Sequence, residues 1–242
     1  MAFELKHEEW IISDFLKSIG PWRNHVVIGG GYAPIIYKLY FDNPHMGNPP
    51  VGTSDLDTLI PRKLPQASKK NIAKHLKDAG FEHVFKDSEQ PATEAYMKNI
   101  NGIEVEIEFL TDNSTRGDKE KNVKVAGVVA QPLSYLRLSL EYSLKFQTKT
   151  GEMGKVVAPS AWIFHKGLTF PRRKAESKKL KDLYGIWYVG TQLGDFSISA
   201  INELGTLGKR HSAWLKSFYN NLKDFVSNAS PGDWRLSLLS TG

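Results

Sequence analysis

One stretch, VVIGGGYAPIIYKLYFDNPHMGNPPVGTSDLDTLIP at residues 26–61, constrains the chain more than any other. Val26, Val27 and Ile28 read as the buried end of a strand. Gly29, Gly30 and Gly31 then open a short amphipathic helix from about Ala33 to Tyr40, with Ile35, Ile36, Leu39 and Tyr40 as its apolar side. A glycine turn at a helix start lets backbone N–H groups face a phosphate. Residues 42–52, DNPHMGNPPVG, read as a loop, and its His45 reads as solvated rather than as a ligand. The strand at 56–60 follows Asp55-Leu56-Asp57. Residues two apart on a strand share a face. Two carboxylates so placed can hold a divalent cation, which in turn holds a nucleoside triphosphate. Alone, Asp55 is an ordinary turn residue and Asp57 one polar position of a half-exposed strand; the glycine turn upstream favours metal binding.

These residues resemble the signature of the nucleotidyltransferase superfamily, the DNA polymerase beta-like fold. That signature is a glycine turn, a helix, and Asp-x-Asp on the next strand. The matching positions are Gly30 and Gly31, then Asp55 and Asp57, with Thr53 and Ser54 just before. More narrowly, IGGGYAPIIY and GTSDLDTLI resemble the abortive-infection and toxin–antitoxin type enzymes of bacteria and archaea. The resemblance implies transfer of an NMP group from an NTP to an acceptor hydroxyl, with pyrophosphate released. It implies Mg²⁺ or Mn²⁺ on Asp55 and Asp57, and phosphates near Gly30, Gly31 and Ser54.

A third carboxylate is expected from a neighbouring strand. Residues 66–79 read as a basic amphipathic helix with Ile72, Leu76 and Ala79 inward, Gly80 at its C-cap and His75 on its surface. Short strands at 81–86 and 93–98 lead to Asn101-Gly102, a strong hairpin signal. In the strand that follows, Ile103, Val105, Ile107 and Phe109 line one face and Glu104, Glu106 and Glu108 the other. Three like charges on one face call for a cation or basic partners, or mark a protected sheet edge. By resemblance to the family's Asp-Phe-Leu-Thr pattern, Glu108 of EFLT is the first choice for the metal site or the general base, and Glu106 the second. Glutamate is one methylene longer than the family's aspartate. Residues 113–121 read as a charged loop. Residues 122–130 read as a strand or the approach to a helix, and 134–146 as a long strand or the start of a helix.

The second half carries its own constellation. Pro159-Ser160 opens a helix bearing Trp162, Ile163, Phe164 and Lys166, broken at Pro171. A second helix, from about Lys174 to Val189, is expected to bury Leu180, Leu183, Tyr184, Trp187 and Tyr188. Its Lys178, Lys179, Lys181 and Asp182 read as a solvated face, with Lys178–Asp182 an i, i+4 pair worth roughly a few tenths of a kcal/mol. The family resemblance shifts that reading. Lys166, Arg172 or Arg173, and Lys181-Asp182-Leu183 match a tract whose lysine meets triphosphate oxygens and whose aspartate orients it. The tract's second aspartate would fall at Gly185 and is missing. The resemblance covers roughly residues 25–190. Beyond it, short helix 198–204 and longer helix 213–226, with Trp214, Leu215, Phe218, Leu222 and Phe225 as a stripe, read as packing.

Composition narrows the rest. The 242 residues are 40% hydrophobic and 11% aromatic, enough for a proper core. The net charge of +6 favours polyanionic partners, or only surplus surface lysine. Without cysteine there is no disulfide, thiolate zinc site or cysteine nucleophile. This fits a cytoplasmic protein. No apolar run approaches the roughly 20 residues of a membrane span, and no signal core opens the chain. An amphipathic helix is expected at 7–19, with Trp10, Ile11, Phe15, Leu16 and Ile19 inward. The whole reads as an α/β (α+β) fold: a small mixed-sheet nucleotidyltransferase core at 1–157, a C-terminal helical domain at 158–242, and the site between them. Expected partners are an NTP and an RNA, tRNA or protein acceptor ahead of a small molecule, with a cognate antitoxin or toxin as a further one. A catalytically degenerate member that binds nucleotide or a partner is the rival reading.

Overall fold

The structure, a computed structural model, describes residues 5–42, 47–88, 91–113 and 121–228. His45 and most of the charged loop at 113–121 lie outside the described residues. Helix α1 (Lys6–Ser18) buries Ile11, Ile12, Phe15 and Leu16 but leaves Trp10 44% exposed. At about 100° per residue, Trp10 lies roughly opposite the centre of that stripe, so the inward place expected for it is corrected.

Among the described residues nine strands form one mixed sheet. Its middle is β1 (Val27–Ile28), which pairs antiparallel with β2 (Asp55–Leu59) and parallel with β9 (Met153–Val157). Helix α2 (Tyr32–Tyr40) leaves β1 through the glycine turn and is almost wholly buried. Strand β2 runs parallel to β5 (Ile103–Asp112). Strand β5 is long enough to pair with β4 (Glu94–Ile100) along its first part and with β7 (Val128–Leu133) along its last. Outside them lie β3 (Glu82–Phe85) and β6 (Val123–Val125). The β4–β5 turn has Asn101 at φ 53° and Gly102 at φ 87°, the two positive values a two-residue type I′ hairpin needs.

Three ambiguous or overextended readings are settled by local bonding. Helix α3 (Ile72–Asp78) starts later than residue 66 because Asn71 is extended and its side chain accepts from the Lys74 amide at 2.9 Å. His75 is half-buried and bonds the Ser68 hydroxyl at 3.1 Å, rather than standing free on the surface. Residues 122–130 form the β6–β7 hairpin. The alternating stretch at 134–146 divides into α4 (Leu136–Glu141) and β8 (Ser143–Gln147), which pairs antiparallel with β9.

Four helices close the chain: α5 (Pro159–Thr169), α6 (Glu176–Thr191), α7 (Gly194–Arg210) and α8 (Ser212–Asn228). Helix α7 is longer than its expected 198–204. Helix α5 is the hub, with Trp162, Ile163, Phe164 and Leu168 buried. Phe218 of α8 packs edge-on against Phe164, with ring centroids 5.4 Å apart. Helix α6 departs from its expected stripe. It buries Asp182, Tyr188 and Val189, while Trp187 is 41% exposed and Leu180, Leu183 and Tyr184 are half-buried. The seam toward α5 runs through Asp182 and Gly185, a charged residue and a glycine that hydrophobic periodicity does not register. Among the described residues no helix is long and apolar enough to cross a membrane.

Candidate active site

The β2–β5 register sets the carboxylates. Asp55 stands opposite Glu106, and Asp57 opposite Glu108. Leu56 and Thr58 face inward, as do Val105, Ile107 and Phe109, so all four acidic side chains share the other face. Asp55, Asp57 and Glu108 line a cavity of about 210 Å³, and Glu106 does not. The fold thus separates the first and second choices for the third carboxylate. Lys86, just beyond β3, bonds Glu108 at 2.7 Å and also bonds Glu106. This lysine answers the like-charge crowding of the strand. Sequence periodicity gives no sign of it, because the pairing spans two strands and a turn.

The glycine turn sits against the aspartate pair. The Gly29 amide donates to the Asp57 carbonyl at 2.9 Å. Gly30 has φ +53°, and a Cβ there would fall 1.7 Å from Asp57 Oδ2. Both facts require glycine. A Cβ on Gly31 would fall 2.8 Å from Thr53 Cγ2. Gly31 and Thr53 line the cavity. Ser54, expected at the phosphates, is exposed and bonds Asp55 Oδ1 at 3.2 Å, outside the lining.

The opposite wall is built by α5 and α6. Lys166 Nζ donates to Asp182 Oδ1 at 2.6 Å, and Arg173 Nε to Asp182 Oδ2 at 2.8 Å. Of the two arginines the sequence offered, Arg173 is the one that engages Asp182. Burial alone would raise the Asp182 carboxyl, but Lys166 and Arg173 outweigh it and hold it below the ordinary carboxylate range. Trp162 Nε1 donates to the Gly30 carbonyl at 2.9 Å, tying α5 to the glycine turn. A Cβ on Gly185 would meet Trp162 Cη2 at 2.6 Å. The aspartate missing at this position could therefore enter only by displacing Trp162. Lys181 Nζ donates to the Gly52 carbonyl at 3.1 Å on the same cavity. Burial, with the Lys166 charge adding to it, pushes Lys181 down against the pull of Asp55 and Asp182.

Asp57 differs from the other carboxylates. Among the described residues no side chain or backbone group donates to its carboxylate. Burial, reinforced by Glu108 and Asp55, pushes it up to about 6 in spite of Lys166 and Arg173. A carboxylate so placed lacks a counter-charge, and a divalent cation supplies one. Asp55 and Asp57 thus fit a metal ion by donor chemistry and by need. Among the described residues no three His, Cys, Asp or Glu side chains stand as a finished metal cage. That suits an ion that takes one or two carboxylates and fills its remaining positions with substrate oxygens and water, as Mg²⁺ does.

A second cavity, of about 200 Å³, meets the first at Asp57, Glu108, Trp162, Lys166 and Arg173. Its other walls come from β5, β7, α4 and His165 of α5. His165 bonds the Ser134 carbonyl at 3.2 Å. Burial and Lys166 push its imidazole down to about 4, so it is neutral at pH 7.

Comparison with known proteins adds to this geometry. A mannosyl-3-phosphoglycerate phosphatase of Pyrococcus horikoshii is 28% identical over 137 residues, 56% of this chain and 45% of that protein. The chain thus spans about half the length of this curated relative. Over the whole fold it is similar to an antigenic nucleotidyltransferase-like protein from Paracoccidioides brasiliensis, at 17% identity and TM-score 0.46, covering 90% of this chain and 95% of that one. It is also similar to the antibiotic-resistance factor ANT(2'')-Ia, at 13% identity and TM-score 0.39, covering 88% and 97%. A family model described as Nucleotidyltransferase matches residues 11–193. That span takes in the glycine turn, the aspartate pair, the long glutamate strand and the Lys166–Asp182 wall, and the chain belongs to the nucleotidyltransferase family.

Proposed function

We propose that the protein moves an NMP group from an NTP to a hydroxyl on a macromolecule. The observation that carries the reading is the meeting of three sets of residues on one cavity: the unpartnered Asp57 beside Asp55, the glycine turn, and the cationic wall of Lys166, Arg173 and Lys181. Asp55 and Asp57 are the residues to hold Mg²⁺ or Mn²⁺, which when bound neutralises and orients the triphosphate. Gly31 lets the backbone come close to the phosphates. Lys181 offers its ammonium to the leaving pyrophosphate. Lys166, fixed by Asp182, offers a positioned charge in the same wall, and positioning and electrostatics do most of the work in phosphoryl-type chemistry. Glu108 is the group to complete the metal site or to take the acceptor proton. In balance, the acceptor oxygen bonds to the α-phosphorus, the α–β bridging bond breaks, and pyrophosphate leaves with the electron pair.

The reading extends to an NTP-using catalytic unit at 1–157 and a helical domain at 158–242, in a cysteine-free protein suited to the cytoplasm. Likeness to abortive-infection and toxin–antitoxin type enzymes supports a macromolecular acceptor and a cognate partner. A second reading, nucleotide binding without transfer, draws on Lys86, whose bond to Glu108 competes with any role of that carboxylate at the metal. The test is label transfer from each α-labelled NTP, with Mg²⁺ or Mn²⁺, to total cellular RNA and protein, beside an Asp55→Ala/Asp57→Ala variant. Label on a macromolecule with wild type alone is expected. NTP binding without transfer selects the second reading, and no NTP binding overturns both.

A further inference from the structure

The two cavities differ in charge in a way that assigns them different ligands. Among the described residues every carboxylate, lysine and arginine lining the second cavity (Asp57, Glu108, Lys166 and Arg173) also lines the first. The first adds Lys178 and Lys181 of its own. The second adds Leu110, Leu133, Leu136, Gln131, Ser139 and the neutral His165. The two cations the second cavity shares are both spent on Asp182. A triphosphate therefore belongs in the first cavity, where unspent cations and the glycine turn face it. The second offers apolar walls with a few neutral hydrogen-bonding groups, and a phosphate there would be buried beside Asp57 and Glu108 without a counter-ion.

We propose that the second cavity is the acceptor subsite, and that what enters it is the uncharged hydroxyl-bearing side chain of a protein (Ser, Thr or Tyr). This rests on the transferase reading above and names its acceptor class. A volume of about 200 Å³ admits one side chain. The terminal nucleotide of an RNA carries its own phosphate close to the ribose hydroxyls and would bring that charge to the neutral wall. Protein side chains meet the neutral wall without this cost. The shared border at Asp57 and Glu108 puts the hydroxyl next to the phosphates of the first cavity. The step balances as follows: the hydroxyl oxygen bonds to the α-phosphorus, its proton passes to the Glu108 carboxylate, and pyrophosphate departs with the broken bond's electrons.

Two substitutions fill the cavity from different elements without touching the first: Gln131→Trp on β7 and Ser139→Leu on α4. NTP affinity, by equilibrium dialysis with Mg²⁺, and the melting temperature report whether each variant keeps its fold. Label transfer is run with total protein and total RNA in separate tubes. The expected result is label on protein and not on RNA, cut at least tenfold by both substitutions, with the NTP Kd moved less than twofold. Label on RNA overturns the proposal, as does transfer to protein that neither substitution slows. Wild type that binds NTP but labels neither fraction removes the acceptor subsite while leaving the nucleotide site standing. Wild type that binds no NTP overturns the transferase reading itself.

Discussion

Asp57 and Asp182 face each other across one cavity and are held in opposite ways. Asp182 sits on a helix between Lys166 and Arg173, with both carboxylate oxygens bonded, and stays below the ordinary carboxylate range. Asp57 sits on a strand among Asp55, Glu108 and a glycine turn, receives no hydrogen bond from the described residues, and is pushed up to about 6. The helix wall is complete within the protein. The strand wall lacks a positive charge, and the lack lies where a metal-bearing nucleotide is wanted. A buried charge left short of partners costs stability, and such costs gather at functional sites.

The comparison can be broken most violently from the complete side. Asp182→Ala strips the partner from Lys166, whose side chain is only 10% exposed, and from Arg173. Removing one member of a buried pair costs about 3–5 kcal/mol, and urea unfolding at pH 7.5 reads it. A Lys166→Met/Asp182→Ala double variant should recover part of the loss, because the stranded charge is gone.

Substitution on the incomplete side should have the opposite sign. In the metal-free protein Asp57→Asn removes an ionised carboxylate that the fold disfavours. The folded carboxyl titrates at about 6, above its unfolded value. Between those values the folded state binds more protons, so wild-type stability falls as pH rises through that window. Asp57→Asn should thus be more stable than wild type at pH 8, by on the order of 2 kcal/mol. The advantage should shrink as pH falls through about 6, and vanish below about 4, the unfolded aspartate range. Thermal melts at a series of pH values check both ends. Mn²⁺ should raise the melting temperature of wild type and leave that of the variant nearly unchanged.

The smallest effect is expected at Lys86, an exposed answer to the same crowding. Its side chain is 40% exposed, so its bonds to Glu106 and Glu108 are screened by water. Lys86→Met should cost less than about 1 kcal/mol of stability. It should also tighten Mn²⁺ binding in calorimetry, since Glu108 is then released toward the cavity. Unchanged or weaker Mn²⁺ binding would show that Glu108 has no part in holding the ion.

Much of the strand side was legible in the residues. Alternation in 103–109 fixes which face the glutamates take, because side chains of a strand alternate whatever the neighbours are. The Asn101-Gly102 turn and the Gly30 position follow from backbone angles that other residues resist. The Asp55 and Asp57 pair shares a face for the same local reason. The helix side was far less legible. Alternation at 134–146 looked like a strand and divides between a helix and a strand, since Leu136 and Leu138 are buried against neighbours the local pattern does not name. On α6 the apolar residues pointed to the wrong face, because the buried seam is made by an ion pair and a glycine.

By itself, then, the sequence determined the elements whose causes are local: the glycine turn, the aspartate pair, the glutamate face and the family they announce. Tertiary structure alone decided which charges meet. It chose Glu108 over Glu106 through the β2–β5 register and Arg173 over Arg172 as the partner of Asp182. It set Lys86 across the glutamates and opened a neutral second cavity between β7, α4 and α5. Local propensity acts over a few residues, whereas ion pairs and cavities form between segments that only the folded chain brings together.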